Sequence, residues 1–244
     1  MRWIYISPHF DDAVVSCGGL IWDQTQKGIS VEIWTVYAGD APPGPLSLLA
    51  MVCHRQWGIE TSEEVVAARR IENLEAAAMV GAETVNIGIP DCIYRRSPTG
   101  ELLYPEDVFV PIHTMEKNLD ANIAIALTSE LQPDDMIVSP LAIGGHLDHV
   151  LTRHATEHLD RSIWYYADIP YLFNFPEMLV PATMGLKETL YPISEKGLEV
   201  WQRGIAAYTS QILMLFETRE KMQEAIRVYW ENQRGIQLRC AAQI

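Results

Sequence analysis

The chain has 244 residues, of which 48% are hydrophobic, enough to fill the core of one α/β domain. Its 32 acidic and 18 basic residues give a formal net charge of −14 at pH 7. A surface of this sign repels phosphate backbones and anionic lipids, so the composition argues against nucleic acid as a partner.

The four cysteines are scattered along the chain and form no C-x-x-C pair, which predicts reduced thiols rather than a disulfide framework. No apolar stretch has the length of a signal peptide or of a membrane span. We therefore expect no membrane insertion and a cytoplasmic location. The sequence is compatible with a homo-oligomer but does not decide the oligomeric state.

Strand-like and helix-like segments alternate along the first two thirds of the chain. Short apolar runs predict strands at residues 2–7, 31–38, 84–89, 136–143 and 163–169. Amphipathic stretches predict helices at residues 13–27, 62–80, 115–131 and 149–159. The proline-containing stretches 39–61 and 90–111 are predicted to be irregular loops.

This alternation favours a Rossmann-like, doubly wound, mostly parallel sheet with helices on both faces and the strand order 3-2-1-4-5. A strand at 188–193 and helices at 194–208 and 218–232 predict a mixed C-terminal region. We expect a single domain over residues 1–244, with a core at 1–160 and a strand and helix extension at 161–244.

Two clusters of histidine and aspartate follow the first and fourth predicted strands. They read Ser7-Pro8-His9-Phe10-Asp11-Asp12 and His146-Leu147-Asp148-His149. In the predicted order these strands are neighbours at the switch point, where ligands bind beyond the carboxyl ends of the strands. Such a density of imidazole and carboxylate is typical of a catalytic metal site.

Each cluster member also has an ordinary structural interpretation. Asp11 or Asp12 could cap the helix that begins at residue 13, and Asp148 could cap the next one. Capping leaves His146 unexplained, however, and does not account for two such clusters at neighbouring strand ends. The pair therefore favours a metal site.

The two motifs resemble those of the LmbE/PIG-L superfamily of zinc-dependent N-deacetylases, which act on substrates containing N-acetylglucosamine. In that family they read (Ala/Ser)-Pro-His-Pro-Asp-Asp and His-Pro-Asp-His. Arg69-Arg70-Ile71-Glu72 is similar to the family's Arg-x-x-Glu helix, and Ile89-Pro90-Asp91 to its Asp-Gly segment. The resemblance covers about residues 2–160.

The resemblance implies one Zn²⁺ per chain, held by His9, Asp12 and His149, a ligand set that Fe²⁺ and Co²⁺ also tolerate. It implies that Asp11 is the general base and that His146, as an imidazolium, stabilises the oxyanion. Asp148 would orient His146 and raise its pKa.

The resemblance also implies that Arg69 and Asp91 contact sugar hydroxyls of a small amino-sugar conjugate. From the residues alone, Arg69 could instead pair with Glu72 on its helix, and Asp91 could be a turn residue.

The chain departs from the family pattern at three positions. Phe10 and Leu147 replace prolines, and Phe10 is expected to line a more apolar pocket. Cys92 follows Asp91 where the family has glycine, which affects sugar recognition.

Together with the metal-site pattern, the resemblance favours removal of acetyl from an N-acetylated amino sugar by metal-activated water. Two alternatives stay open: another metal-dependent hydrolase, such as a phosphoesterase, and a non-catalytic sugar-binding relative. A nucleotide-binding Rossmann domain is disfavoured, because Cys17-Gly18-Gly19 lies inside a predicted helix and is no G-x-G-x-x-G loop.

Overall fold

The computed structural model describes residues 1–241, in which seven strands form one sheet. In chain order they are β1 (Arg2–Ser7), β2 (Ser30–Thr35), β3 (Glu83–Asn86), β4 (Met136–Pro140), β5 (Ile163–Tyr166), β6 (Leu186–Pro192) and β7 (Gly235–Ala241). Their spatial order is β3-β2-β1-β4-β5-β7-β6. The first five are parallel, and β7 runs antiparallel to β5 and β6. The predicted order 3-2-1-4-5 is confirmed.

Helices cover both faces of the sheet. In chain order they are α1 (Asp12–Gln26), α2 (Leu48–Trp57), α3 (Ser62–Val80), α4 (Leu119–Glu130), α5 (Leu147–Glu157), α6 (Tyr171–Asn174), α7 (Leu179–Ala182), α8 (Glu195–Ala207), α9 (Ile212–Phe216) and α10 (Arg219–Gln233). Within residues 1–241, none of these helices has the length and apolar character required to span a bilayer.

The central strand β1 contributes to two hydrophobic cores, because successive side chains of a strand point to opposite faces. Trp3 and Tyr5 pack into the core formed with α1, α3, α8 and α10. Ile4 and Ile6 pack into the core on the other face, with α2, α4 and α5. Burial on both faces explains why this strand reads as a continuous apolar run.

Several strands are shorter than their apolar runs predicted. β2 ends at Thr35 rather than at 38, and β4 ends at Pro140 rather than at 143. The residues that follow, such as Val36 and Leu141, are fully buried although they lie outside the strands. The Val36 N–H still donates to the Ser7 carbonyl and the Leu141 N–H to the Tyr166 carbonyl, so these apolar residues lie buried where the sheet meets the loops at its carboxyl edge.

The stretch 39–61, predicted to be irregular, contains the helix α2. The Ser47 hydroxyl accepts a hydrogen bond from the Ala50 backbone N–H and caps its start. Gly58, with φ +72°, ends it in the left-handed conformation that glycine adopts readily. The upstream prolines favoured the prediction of a loop here, although the serine cap and the glycine stop of the helix are present in the sequence.

The C-terminal region extends the sheet and covers one of its faces. β7 was not predicted, although its residues alternate between apolar and polar. The indole of Trp201 on α8 is fully buried, and a Cβ added at Gly18 on α1 would lie 2.7 Å from its Cδ1 atom. Gly18 therefore allows α8 to approach α1 closely.

Candidate active site

The loops after β1 and β4 bring the two sequence motifs together at the carboxyl edge of the sheet. The Nδ1 atom of His9 lies 3.2 Å from Oδ2 of Asp12. The same oxygen lies 3.4 Å from Nε2 of His149. One donor atom from each of these three residues lies within 4.8 Å of the others. Residues that are distant in sequence therefore form one cluster, as the predicted strand order requires.

Asp11 and Asp12 do not cap α1 in the conventional way. Asp11 occupies the N-cap position, but its side chain makes no capping hydrogen bond. The Ser7 hydroxyl accepts the hydrogen bond from the Ala13 backbone N–H instead, at 3.0 Å. The carboxylate of Asp12 accepts a hydrogen bond from the backbone N–H of His9, at 2.7 Å. Capping therefore does not account for this pair of aspartates.

His149 carries the clearest evidence for an additional ligand. Its ring is fully buried, and its Nε2 atom has no hydrogen-bond partner. Its Nδ1 atom lies 2.7 Å from Oδ1 of Asp168. A carboxylate at Nδ1 places the ring proton on that nitrogen and leaves Nε2 as a free lone pair. Buried unpaired polar atoms are costly, and a divalent cation would satisfy this one.

Asp168 was not identified from the sequence. It follows β5, and its second carboxylate oxygen accepts a hydrogen bond from the Ile143 backbone N–H at 2.9 Å. The available signal was its position, since β5 neighbours β4 and the carboxyl ends of parallel strands share one edge. Burial raises the pKa of Asp168, and its bond to His149 opposes that rise.

Asp11 lies beside the donor cluster and contacts Arg69. The Nη2 atom of Arg69 is 3.3 Å from Oδ1 of Asp11. Burial raises the pKa of the Asp11 carboxyl, and the Arg69 charge partly offsets this shift. A buried carboxylate with a raised pKa that lies beside the donor cluster is suited to proton transfer.

His146 is the N-cap residue of α5. Its Nδ1 atom accepts a hydrogen bond from the Asp148 backbone N–H at 3.2 Å, which leaves the ring proton on Nε2. Burial lowers the pKa of His146 well below its ordinary range, and the nearby His9 and His149 lower it further. The hydrogen bond to Nδ1 and the lowered pKa both favour a neutral ring with its proton on Nε2, whereas the resemblance implied an imidazolium.

The carboxylate of Asp148 has partners other than the one expected. Oδ1 lies 2.6 Å from Nη2 of Arg95, and Oδ2 accepts a hydrogen bond from the Cys92 backbone N–H at 3.1 Å. Oδ2 also lies 3.3 Å from Nε2 of His9. Burial opposes ionisation, but Arg95 and His9 keep the pKa of Asp148 low. Its link to His146 runs through the backbone N–H.

Arg69 connects three parts of the site. Its guanidinium lies 3.6 Å from Oδ2 of Asp91 as well as beside Asp11, and it stacks over the rings of Trp57 and Phe10. Phe10 is buried against Arg69 and does not line the cavity, so the expectation that it would do so is wrong.

Glu72 does not pair with Arg69, which was the alternative left open by the sequence. Its carboxylate accepts hydrogen bonds from the hydroxyls of Thr209 and Ser210 and from the Ser210 backbone N–H. Glu72 therefore ties α3 to the segment after α8 and leaves Arg69 free to face the site.

Two further groups of acidic, histidine and cysteine side chains have ligand-like spacing, and both include Asp148. The Arg95 guanidinium already neutralises that carboxylate, and the Nδ1 atom of His146 is occupied by a backbone N–H. The cluster of His9, Asp12 and His149 contains the buried nitrogen without a partner. It is the set that best fits a divalent metal.

A cavity of about 380 Å³ opens onto this cluster. It is lined by His9, Asp11, Asp12, Leu49, Val52, Cys53, Gln56, Trp57, Arg69, Asp91, Ile93, Val108, Phe109, His146, Pro170, Tyr171, Asn174, Gln211, Met214 and Leu215. Gly144, with φ +88°, lets Tyr171 close one side, because a Cβ at that position would lie 2.6 Å from its ring. The volume is that of a small-molecule site.

Comparisons with known proteins agree with this geometry. The chain is 24% identical over 243 residues to 2'-N-acetylparomamine deacetylase from Niallia circulans, covering 88% of this chain and 82% of the relative. The zinc-inhibited form of teicoplanin deacetylase Orf2 has a TM-score of 0.82 and 26% identity, with 98% and 97% of the two chains covered.

The antimicrobial reagent A40926 pseudoaglycone deacetylase Dbv21 is also similar, with a TM-score of 0.74 and 25% identity over 98% of this chain and 96% of that chain. The PIG-L family, described as GlcNAc-PI de-N-acetylase, matches residues 4–159. The chain therefore belongs to the PIG-L family and is a metal-dependent N-deacetylase.

Proposed function

We propose that this protein removes the acetyl group from an N-acetylglucosamine-type sugar within a small glycoconjugate, with one Zn²⁺ per chain. The observation that carries the proposal is the convergence of His9, Asp12 and the unpaired Nε2 of His149 beside Asp11 at the base of one cavity. Two histidines and a carboxylate form an established catalytic zinc set that leaves room for water and substrate.

His9, Asp12 and His149 would hold the metal, and Asp168 would fix the His149 ring so that Nε2 faces it. When bound, the metal would act as a Lewis acid that polarises the acetyl carbonyl, and it would lower the pKa of water enough for attack near neutral pH.

Asp11 would act as general base and then as general acid. It accepts a proton from the attacking water as the water oxygen bonds to the acetyl carbon. It then returns the proton to the nitrogen as the C–N bond breaks, which releases acetate and a free amine. Its raised pKa, caused mainly by burial, suits a group that must both take and give a proton.

His146 would stabilise the oxyanion that develops on the acetyl oxygen. Its Nδ1 atom is occupied by a backbone N–H, so its Nε2–H is available as a donor while the ring stays neutral. Asp148 would support this site by holding His9 and the turn at Cys92 against Arg95.

Arg69 and Asp91 would position the sugar by contacts to its hydroxyls. Both residues line the cavity beside Asp11, and both side chains have polar atoms that can hydrogen-bond to a sugar there. Arg69 is held in place by stacking on Trp57, which supports its use as a fixed donor.

Two observations weigh against the alternatives kept open by the sequence. A phosphoesterase needs cations for its substrate, but among the described residues lining the cavity Arg69 is the only arginine or lysine, and two carboxylates already pair with it. A non-catalytic binder has no need for Asp11, a buried carboxylate placed beside the metal donors.

The test combines metal analysis of the purified protein with release of free amine from N-acetylglucosamine glycosides, with and without a chelator. We expect about one metal per chain and amine release that stops on chelation and returns with Zn²⁺. Bound metal without amine release from any glycoside would overturn the proposed reaction, and absence of metal after reconstitution would overturn the proposed ligand set.

A further inference from the structure

The cavity changes character between its base and its mouth. The base residues His9, Asp11, Asp12, Arg69 and His146 are charged or polar, and all of them are buried. The residues at the mouth are largely apolar and much more exposed: Val52 is 55% exposed, Phe109 is 51% and Met214 is 38%. This gradient separates a reacting end from an apolar entrance.

The helix α2 presents one face to this entrance. The cavity-lining residues on α2 are Leu49, Val52, Cys53, Gln56 and Trp57, a spacing that places them along one side of a helix. The adjacent side of the helix buries Ala50 and His54. The buried residues thus hold α2 in place, while its largely apolar lining residues border the open cavity.

The short helix α9 continues the same wall from a distant part of the chain. α2 and α9 pack together, and Met214 and Leu215 of α9 join the lining. Phe109 adds an aromatic surface, with its ring 5.7 Å from that of His146 and 6.1 Å from that of Tyr171. A ligand that reaches His146 therefore passes an aromatic edge.

The polar groups near the mouth carry no formal charge. They are the exposed side-chain amides of Gln56 and Asn174, and the lining also includes the buried amide of Gln211. The one arginine or lysine among the described lining residues is Arg69, which is paired with Asp11 and Asp91 at the base. The net charge of −14 adds to the repulsion of anions. A phosphate attached to the sugar would find no cation at the mouth.

Resting on the proposed function, we infer that the entrance formed by α2, α9 and Phe109 is a subsite for an uncharged, apolar aglycone attached to the N-acetylated sugar. The acetyl group must reach the base beside Asp11, so the remainder of the conjugate extends toward the mouth. Exposed apolar surface that is continuous with a reactive cavity is stabilised when an apolar group of the ligand covers it.

The inference is tested by binding, which does not depend on turnover. Methyl and hexyl N-acetylglucosaminides, in both anomeric forms, are titrated calorimetrically into metal-loaded Asp11→Asn protein. We expect the hexyl glycoside to bind at least about tenfold more tightly, since burial of only two added methylene groups supplies that factor. N-Acetylglucosamine 1-phosphate should bind more weakly than the methyl glycoside.

Two double variants locate the effect. Val52→Ser with Met214→Ser replaces one apolar lining residue on α2 and one on α9 by a polar residue. It should reduce the preference for the hexyl over the methyl glycoside to below about threefold. Leu48→Ser with Leu213→Ser changes the same two helices at exposed residues that do not line the cavity, and should keep the preference. Equal loss in both double variants would overturn the assignment.

A second pair of ligands distinguishes the aglycone from the acyl group. Methyl N-hexanoylglucosaminide carries its apolar chain on nitrogen instead of on the anomeric oxygen. A gain in affinity for this compound, without a gain for the hexyl glycoside, would show that the apolar wall faces the acyl group and would overturn the inference. Equal affinities of the hexyl and methyl glycosides would also overturn it.

The failure of this inference is distinguishable from failure of the proposed function. If wild-type protein deacetylates the methyl glycoside but shows no hexyl preference in binding or in kcat/KM, only the aglycone subsite is wrong. If the hexyl glycoside binds tightly but no glycoside releases amine from metal-loaded wild-type protein, the subsite stands and the proposed reaction is wrong.

Discussion

The first 160 residues and the residues after them contribute different things to one cavity. The segments that directly follow β1 and β4, including the first turns of α1 and α5, supply the three candidate metal donors and Asp11. The later part supplies Asp168, the portion of the cavity wall formed by Tyr171 and the helix α9, and the helix α8 that supports α1. The reacting groups thus come from the first part of the chain, whereas the later part orients His149 and completes a cavity wall that α2 and Phe109 begin.

Tyr208, at the end of α8, illustrates the support given by the later part. Its hydroxyl lies 3.0 Å from the backbone carbonyl of Phe10, a residue between His9 and Asp12 in the sequence. The same hydroxyl lies 3.1 Å from the side-chain oxygen of Asn73. The loop that carries His9 and Asp12 is therefore held from the C-terminal region as well as from β1.

The largest effect is expected for His149→Ala. Loss of a direct ligand should weaken metal binding by more than the roughly 10–100-fold typical of losing an outer-shell partner, and activity should disappear with the metal. Metal content by atomic emission and amine release measure both. His154→Ala, at an exposed position on the same helix, is the control. Unchanged metal content would remove His149 from the ligand set.

Asp11→Asn should abolish proton transfer while leaving the metal in place. We expect kcat to fall by about 10²–10⁴, the range of general acid–base catalysis, with about one metal per chain retained. Asp40→Asn changes an exposed aspartate that pairs with Arg70 and serves as the control. A metal-loaded Asp11→Asn enzyme with wild-type kcat would exclude Asp11 as the base.

Trp201→Ala tests whether the stability of residues 1–160 depends on the C-terminal region. Removing a fully buried indole that contacts α1 should lower the free energy of unfolding by about 3–5 kcal/mol. Urea unfolding followed by fluorescence, together with metal release, measures it, and half-buried Trp22→Ala should cost less. If metal stays bound through the unfolding transition, the two parts do not fold as one unit.

Asp168→Ala should weaken metal binding by about 10–100-fold, because the His149 ring loses the carboxylate that fixes its tautomer. Chelator competition measures the affinity. Asp168→Asn keeps an oxygen that can accept the Nδ1–H and should recover part of the loss. An unchanged metal affinity in Asp168→Ala would show that metal binding does not depend on this residue of the later part.

The smallest effect is expected at Asp135, which pairs with Arg2 at 2.7 Å, away from the cavity. Burial opposes ionisation, but Arg2 keeps the pKa of the Asp135 carboxyl below its ordinary value. A depressed pKa stabilises the fold above the unfolded-state pKa of about 3.9, and this is lost as pH falls through the folded-state pKa.

Asp135→Asn should therefore cost about 1 kcal/mol at pH 7, and this difference from wild type should shrink as the pH falls below about 4. Urea unfolding at several pH values measures it, with exposed Asp134→Asn as the control. A difference that stays constant down to low pH would show that the ion pair is not its cause. Metal binding should be unaffected.

The sequence by itself determined the parallel part of the sheet and the candidate metal donors. Apolar runs spaced by amphipathic stretches define the strand order, and the order places the ends of β1 and β4 side by side. Because both motifs directly follow those strands, local sequence was enough to predict that the motifs would meet, and the resemblance to the family singled out His9, Asp12 and His149 within them.

Tertiary structure alone decided which groups surround these residues. The partners of Asp148 are Arg95 and the Cys92 N–H, and the partner of His149 is Asp168, none of which share a local motif with them. The cavity walls join α2 to α9, about 160 residues apart in the chain. Periodicity reports which face of an element is buried, whereas these contacts depend on how separate elements pack, so only the folded chain specifies them.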